Sequence, residues 1–246
     1  PSLPRPGASG EAGAHEESPA RADEQLLAER FLSTVAHEMK NQLHALQMTT
    51  ALVRRSPRIP EQEQAQLAMV ESGIRGVSRY VTDLLDFLRN RAGLLALTPT
   101  ECDIVPVVRS AVEMLKLQYN ARRTEFDSPG TLVGHFDADR LVQVVNNLVI
   151  NAVKYGSPDA PVTVALRDDD SAMVLEVSNY GEPIPAAAIP ALFDPYVRVA
   201  SNGLRHRDGL GLGLAVVRQI VLKHGGAIDV TSGERTTFTV VLPKYP

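Results

Sequence analysis

The sequence predicts a helical hairpin that pairs with a second copy of itself into a four-helix bundle, followed by a separate α/β domain. Three observations carry this expectation. Seam positions Leu32, Ala36, Met39, Leu43, Leu46, Thr50 and Val53 recur in alternating steps of four and three, the spacing of a coiled-coil seam. A second seam, Leu67, Val70, Ile74, Val77, Val81, Leu84 and Leu88, follows a break at Ser56-Pro57-Arg58-Ile59-Pro60, where the prolines forbid a continuous helix. Beyond Gly93 the texture changes to short β-rich runs alternating with helical ones, which marks a separate α/β unit.

Composition narrows the function. The chain has 246 residues, 44% of them hydrophobic, enough for real cores, so disorder throughout is excluded. Its 25 basic and 29 acidic side chains leave a net charge of -4, and no Lys/Arg block is present to grip a phosphate backbone, so nucleic acid is not expected as a partner. The single cysteine, Cys102, cannot form an internal disulfide, and a cytoplasmic location is expected. The apolar stretch from Leu210 to Leu222 is interrupted by Arg218 and glycines and falls short of the roughly 18 residues of a membrane span, so no membrane contact is expected from this segment. The chain opens on Pro1 with no signal-peptide pattern and reads as the C-terminal piece of something longer.

Element by element, residues 1–22 are rich in Pro, Gly, Ala, Glu and Ser and read as a linker that cannot offset its own ordering entropy. Residues 23–93 form the hairpin. Two helices have a seam but no enclosed core, and the simplest supply of partners is a second hairpin. The alternative, a hairpin lying against the downstream domain, is less favoured because both seams are long and regular. In the domain spanning 94–246, Asp103 is placed to cap a helix running to about Tyr119 and Asp137 another running to about Lys154. Strands are expected at Thr131–Phe136, Val162–Arg167, Met173–Ser178, Ala227–Thr231 and Thr236–Leu242, with Asp168-Asp169-Asp170 as a turn. Gly225-Gly226 ends a helix from Ala215 to His224.

Four stretches carry chemistry. In Phe31 to Asn41, His37 follows the seam residue Ala36 and so faces outward, with Asn41 one turn on and His44 nearly two. A neutral imidazole is a usable nucleophile, and a carboxylate such as Glu38 could hold the proton of its other nitrogen. Taken alone, a histidine on an exposed helical face is usually only a solvated side chain, and nothing local distinguishes His37 from His44. His37-Glu38 also starts a zinc-protease-like pattern, but Asn41 stands where the second histidine is needed, so no metal site is expected there. In the second helix of the α/β domain, Leu141, Val144, Val145, Leu148 and Ala152 form a buried face while Asn147, Asn151 and Lys154 form a polar line. That line is either the wet side of an amphipathic helix or a set of neutral oxygen ligands and a cation suited to a magnesium-phosphate cluster, with nothing local to choose between them. Asn179-Tyr180-Gly181-Glu182-Pro183 follows a strand and lets backbone approach a flat ligand, or simply ends the strand. Gly209-Leu210-Gly211-Leu212-Gly213-Leu214 precedes a helix whose N-terminus would attract phosphate. It fits neither GxGxxG nor GxxxxGK[ST], and His206-Arg207-Asp208 lacks the partners of a protein-kinase catalytic loop.

These stretches occur in one order, and with Leu192-Phe193-Asp194-Pro195-Tyr196-Val197-Arg198 between the last two they resemble the H, N, G1, F and G2 boxes of sensor histidine kinases. The resemblance covers roughly Phe31 to Leu242. It implies a dimerisation and histidine-phosphotransfer hairpin followed by a GHKL-type (Bergerat) ATP-binding domain, an α/β sandwich of helices over a mixed sheet. It further implies that His37 accepts the γ-phosphate of ATP with Glu38 as acid–base partner, and that Asn151 ligates Mg2+ with Asn147 and Lys154 on the phosphate side. Nucleotide contacts are implied for Tyr155, Asn179, Gly181, Phe193, Arg198, Gly209, Gly211, Gly213 and Leu214, with Tyr196 to Asp208 as an ATP lid. The implied partners are a response-regulator receiver domain and an upstream sensor module, with Asn41 of an E-x-x-N arrangement orienting water for regulator dephosphorylation.

The chain departs from the family pattern at three positions. Asn179 stands where an adenine-reading aspartate is usual, which removes charge assistance of on the order of 1 kcal/mol. Pro183 replaces a glycine, and Gln42 replaces a proline five residues after the phosphoacceptor. The alternative these departures motivate is a degenerate member that acts as a regulator phosphatase or scaffold with weak ATP use. A GHKL ATPase that only hydrolyses ATP is disfavoured, because Asn147 stands where such enzymes carry a carboxylate base.

Overall fold

A computed structural model describes residues 19–54, 60–118, 123–198 and 210–245, with side chains described from Thr34 in the first helix and from Glu63 in the second. The break at 55–59, the lid segment 199–209 with Gly209, Arg205 and Arg207, most of the expected linker and the Leu32 side chain lie outside the described residues.

Two long helices come first, α1 (Pro19–Arg54) and α2 (Glu61–Arg91), and α1 starts inside the segment expected to be linker. Their seams divide into two rows with different fates. Ala36, Leu43 and Thr50 on α1, with Leu67, Ile74, Val81 and Leu88 on α2, are buried or half-buried. Ala36, Val81 and Leu85 form a small core of their own with Leu43 packed on it. The alternate row, Met39, Leu46, Val53, Val70, Val77 and Leu84, stays exposed, Leu46 at 52% and Val70 at 50%. One row thus closes the hairpin, and the other presents an apolar stripe with no occupant among the described residues. Polar ties cross the hairpin from Gln47 Nε2 to Ser78 Oγ at 3.3 Å and from Arg54 to Glu71 at 3.2 Å.

Near its C-terminal end α2 changes neighbours. Asp83, Leu85, Asp86 and Phe87 are all buried, and Phe87 belongs to the hydrophobic core of the second domain. The bundle and the α/β unit therefore share one helix. Of the arrangements weighed from sequence, the less favoured one is observed at this end of α2, whose flank lies against the downstream domain, while the exposed apolar row lies elsewhere on the hairpin.

The second domain runs β1 (Thr100–Asp103), α3 (Ile104–Gln118), β2 (Thr124–Asp127), β3 (Val133–Phe136), α4 (Ala138–Tyr155), β4 (Val162–Asp169), β5 (Ala172–Tyr180), a 3-10 turn at Ala186–Ala191, α5 (Gly213–Lys223), β6 (Ala227–Thr231) and β7 (Arg235–Pro243). The main sheet has the order β2-β4-β5-β7-β6; β2 pairs parallel with β4 and the other neighbours are antiparallel. Strands β1 and β3 form a small antiparallel pair apart from it. Alternate residues Met173, Leu175 and Val177 on β5 and Phe238, Val240 and Leu242 on β7 are buried, as a sheet covered on one face requires. Helices α3, α4 and α5 form the covering layer, with Val144, Leu148, Val217 and Ile220 in the shared core.

The expected strands are all present with slightly shifted ends. Two further ones, β1 and β2, are only four residues each, and their sequences, Thr-Glu-Cys-Asp and Thr-Glu-Phe-Asp, are half acidic, so no apolar alternation marks them. Strand β4 continues through Asp169, which narrows the expected Asp168-Asp169-Asp170 turn to Asp170-Ser171, with Asp170 at φ 36. Helix α5 begins at Gly213, two residues early, and ends before Gly225, whose φ of 73 supplies the left-handed stop.

Capping follows the sequence. Asp103 Oδ1 accepts from the N–H of Val105 at 3.1 Å and of Leu132 at 3.0 Å, tying α3 to the strand before α4. Asp137 Oδ1 accepts from the N–H of Arg140 at 3.1 Å and its Oδ2 from the N–H of Thr98 at 2.9 Å. Burial alone would raise the Asp137 pKa, but these donors and the Arg140 charge outweigh it and hold the carboxyl below its ordinary value. A depressed carboxylate stabilises the fold above its unfolded pKa and loses that contribution as pH falls through the folded one. We therefore expect Asp137→Ala to cost about 1–2 kcal/mol at neutral pH, with the deficit shrinking as the pH falls through the lowered carboxyl pKa and the wild type loses the same contribution. Urea unfolding followed by circular dichroism at several pH values checks this; a deficit that grows on acidification contradicts it.

Candidate functional site

Helix α4 brings the candidate residues together because its two faces have different tasks. Leu141, Val144, Val145, Leu148 and Ala152 are all buried in the core. One edge over, Asn147, Asn151 and Lys154 follow each other at helical spacing and line a cavity of about 120 Å3 with Tyr155, Arg198, Gly211, Gly213 and Leu214. Asn147 is not on a wet face: it is 6% exposed, and its amide interacts with the Asp83 carboxylate without reaching strict hydrogen-bond geometry at Nδ2. A buried donor so imperfectly satisfied is costly, and beside a helix N-terminus it suits an anionic oxygen.

The glycine segment forms the opposite wall. Gly211 has φ 70, and a Cβ there would stand 3.0 Å from the Tyr196 backbone; at Gly213 it would stand 3.3 Å from Asn147 Oδ1. Side chains at either position would close the cavity on Asn147 or push the Tyr196 segment away. No side chain caps the start of α5 at Leu212, so its first N–H groups are left for a ligand in the cavity wall. Tyr196 itself is left-handed at φ 65, a conformation that costs a non-glycine residue about 1–3 kcal/mol. Its N–H donates to Gly211 O at 3.0 Å.

A further part of the wall comes from α2: Arg79, Tyr80 and Asp83. Burial pushes the Asp83 carboxyl up to about 6, with the Arg79 guanidinium and the Asn147 amide acting against the rise and Asp86 adding to it. Burial also raises the Tyr155 hydroxyl, with Arg198 opposing, and the Lys154 ammonium lies 5.2 Å from the Tyr155 ring centre.

Asn179, Gly181 and Phe193 do not line this cavity. Gly181 forms an antiparallel bridge with Gly156, and a Cβ on Gly181 would stand 2.5 Å from Tyr155 O, so the end of α4 and the end of β5 meet where only hydrogen fits. Asn179 is buried behind this junction at 5% exposure, its Nδ2 3.4 Å from Tyr180 O. Phe193 packs edge-on against Phe238, ring centres 6.4 Å apart. Gly209 lies outside the described residues.

On α1, His37, Glu38 and Asn41 are exposed next to buried Ala36, away from the cavity lining. Glu38 Oε1 accepts from Gln42 Nε2 at 2.9 Å, so in this arrangement the carboxylate is held by the residue at the departing position. The α2 residues Arg79, Tyr80 and Asp83 were missed by sequence reasoning. They belong to no motif, and their only trace is a pair of acids, Asp83 and Asp86, one turn apart beside the seam.

Comparison with known proteins agrees with this layout. Residues 27–93 match the His Kinase A (phospho-acceptor) domain and residues 136–246 the Histidine kinase-, DNA gyrase B-, and HSP90-like ATPase family. The signal transduction histidine-protein kinase/phosphatase MprB of Mycobacterium sp. (strain KMS) is 35% identical over 233 residues, covering 88% of this chain and 44% of that protein. The sensor protein SrrB of Staphylococcus aureus (strain NCTC 8325 / PS 47) is 28% identical, covering 87% of this chain and 38% of that protein. Among solved structures, full-length ShkA in complex with AMPPNP superposes with a TM-score of 0.64 at 22% identity, covering 87% of this chain and 45% of that one. The mycobacterial sensor histidine kinase MprB superposes with a TM-score of 0.52 at 28% identity, covering 61% and 99%. The chain belongs to the sensor histidine kinases and carries both their phosphoacceptor and their ATP-binding domain. It spans less than half the length of the curated relatives it matches. No helix among the described residues is long and apolar enough to cross a membrane.

The Gly156–Gly181 junction gives a direct test of the packing around the site. Gly181→Ala forces a Cβ against Tyr155 O and is expected to destabilise the chain by about 1–3 kcal/mol. A thermal melt that does not move contradicts the contact.

Proposed function

We propose that this chain uses ATP to phosphorylate its own His37 and passes the phosphoryl group to an aspartate of a response-regulator receiver domain. The observation that carries the reading is the convergence of Asn147, Asn151, Lys154 and the α5 N-terminus on one cavity. Phosphoryl transfer chiefly needs alignment and charge neutralisation, and amide oxygens, an ammonium and free helix N–H groups are suited to both. Asn151, with a neutral side-chain oxygen, fits a hard divalent cation, and it would hold Mg2+; that ion, when bound, offsets the charge of the phosphates. Lys154 and the α5 N–H groups bind phosphate oxygens, and Asn147 donates its side-chain amide to them.

In the transfer itself a lone pair on the His37 ring nitrogen forms the new N–P bond while the bond from the γ-phosphorus to its bridging oxygen breaks, and ADP leaves with that electron pair. Glu38 stabilises the imidazolium that develops and takes up its proton once released from Gln42. Exposure of His37 leaves it free to meet both nucleotide and receiver. The N–P bond is reactive enough to pass its phosphoryl group on to a carboxylate oxygen of the receiver, restoring the ring. Asn41, one turn beyond, would orient a water that attacks the phosphorus of the receiver's aspartyl phosphate, releasing inorganic phosphate and restoring the carboxylate.

The exposed row Met39, Leu46, Val53, Val70, Val77 and Leu84 supports pairing of two hairpins into a four-helix bundle. A dimer by sedimentation, converted to monomer by Leu46→Asp with Val77→Asp, is the expected outcome; a wild-type monomer at micromolar concentration contradicts it.

A second reading, a regulator phosphatase or scaffold with weak ATP use, is favoured by Asn179 and Pro183. Incubation with ATP labelled on the γ-phosphate separates the two. Acid-labile, alkali-stable label, abolished by His37→Ala and reduced at least about a hundredfold by Asn151→Ala, supports the kinase. A folded dimer that never takes label but dephosphorylates a receiver supports the second reading.

A further inference from the structure

The cavity at the heart of the ATP reading is too small for its ligand. Its volume is about 120 Å3, whereas small-molecule sites run to roughly 300–1,000 Å3. Part of its wall is α2. Tyr80 and Asp83 enter the wall from the hairpin side, and Asp83 is 7% exposed. A Cβ built on Gly213 would lie 3.3 Å from Asn147 Oδ1 and 3.9 Å from Asp83 Oδ2, so the carboxylate occupies the place where Asn147 and the α5 N-terminus converge.

This seating is fastened at points outside the cavity. Asp86 pairs with Arg140 at 3.1 Å and accepts from Gln143 Nε2 at 2.7 Å. Phe87 meets Tyr196 edge-on with ring centres 5.8 Å apart. Positions 83, 86 and 87 share one helical face, so the three contacts form or break together.

We propose that this face of α2 is a built-in competitor for the nucleotide: Asp83 stands in for phosphate oxygens, and the chain must release α2 from α4 and Tyr196 before a triphosphate can enter. The inference deepens the ATP reading and rests on it. A carboxylate and a phosphate cannot share one set of donors, so docking of α2 and nucleotide binding exclude each other. Because such coupling is reciprocal, a rotation of α2 within the bundle that strains this docking raises affinity for ATP, and bound ATP loosens α2. His37 lies on the helix paired with α2, so release also frees the catalytic domain to carry its nucleotide towards the ring.

The test is the affinity of the full chain for Mg2+–AMPPNP by calorimetry, wild type against Asp86→Ala. Asp86 lines no part of the nucleotide cavity, so its removal loosens the docking without altering the pocket. The expected result is binding tightened by about fivefold or more; unchanged or weaker binding overturns the proposal. Hydrogen exchange on the unmutated chain gives a second readout independent of any variant. Peptides covering residues 80–90 should exchange faster when Mg2+–AMPPNP is added, and slower or unaltered exchange at saturation also overturns it. If neither wild type nor variant binds nucleotide, the ATP reading itself fails; if both bind alike, only the competitor does.

Discussion

Helix α4 has to be core on one side and ligand on the next, and everything around it is arranged to keep its rotation fixed. A turn of one residue about its axis would carry Asn147 into the sheet in one sense, or Leu148 into the cavity in the other. Its start is held by Asp137, whose carboxylate takes N–H groups from Thr98 and Arg140 and whose own N–H donates to His224 Nε2 at 3.2 Å. The other ring nitrogen of His224 faces Ile220 O at 2.9 Å, so both contacts are satisfied by the neutral tautomer with its proton on Nδ1. The first turn of α4 is thereby tied to the last turn of α5. Its end is held by the Gly156–Gly181 bridge to β5. Between the two clamps the polar edge can point only into the cavity.

The hairpin is built on a similar division of labour within one seam. A heptad pattern with both rows apolar is more than two helices need, and the row that closes the hairpin leaves the other uncovered. The excess is interpretable as the share of a second chain. Near the C-terminal end of α2 the helix gains a third neighbour, the catalytic domain, through Phe87 and the Asp86–Arg140 pair. A single helix thus touches its hairpin mate, the surface available to a partner and the nucleotide wall, which gives mechanical change in the bundle a short path to the catalytic domain.

Most of the fold was legible because it is written in periodicity and caps. The heptads, Asp103 and Asp137 as caps, Gly225 as the stop of α5 and the alternation in β5 and β7 are local patterns, and each local pattern agreed with the packing. Strands β1 and β2 were not legible, since four-residue edge segments with two acids each are ordered by their neighbours and not by their own burial. At the site, Asn147, Asn151 and Lys154 announced themselves as amides and a cation in a helix that gains nothing from them. Their burial did not: Asn147 reads as solvent-facing from the helical wheel, and only the closeness of α2 and Gly213 encloses it. Asp83 was invisible for the same reason, because its significance comes from contact between two domains, which no spacing in the sequence encodes. Asn179 and Phe193 were legible as parts of the pattern, yet in this arrangement they sit in the packing behind the cavity.

The central claim is that the polar edge of α4 is what the nucleotide touches. The side-chain amide resonances of Asn147 and Asn151, followed by nuclear magnetic resonance while Mg2+–AMPPNP is titrated into the full chain, report on it directly. Saturable shifts of both amides, with the exposed amide of Gln66 near the start of α2 unmoved, are the predicted result. Nucleotide that binds while the two asparagine amides stay in place would mean that the site lies elsewhere, and the account built on this helix would fall.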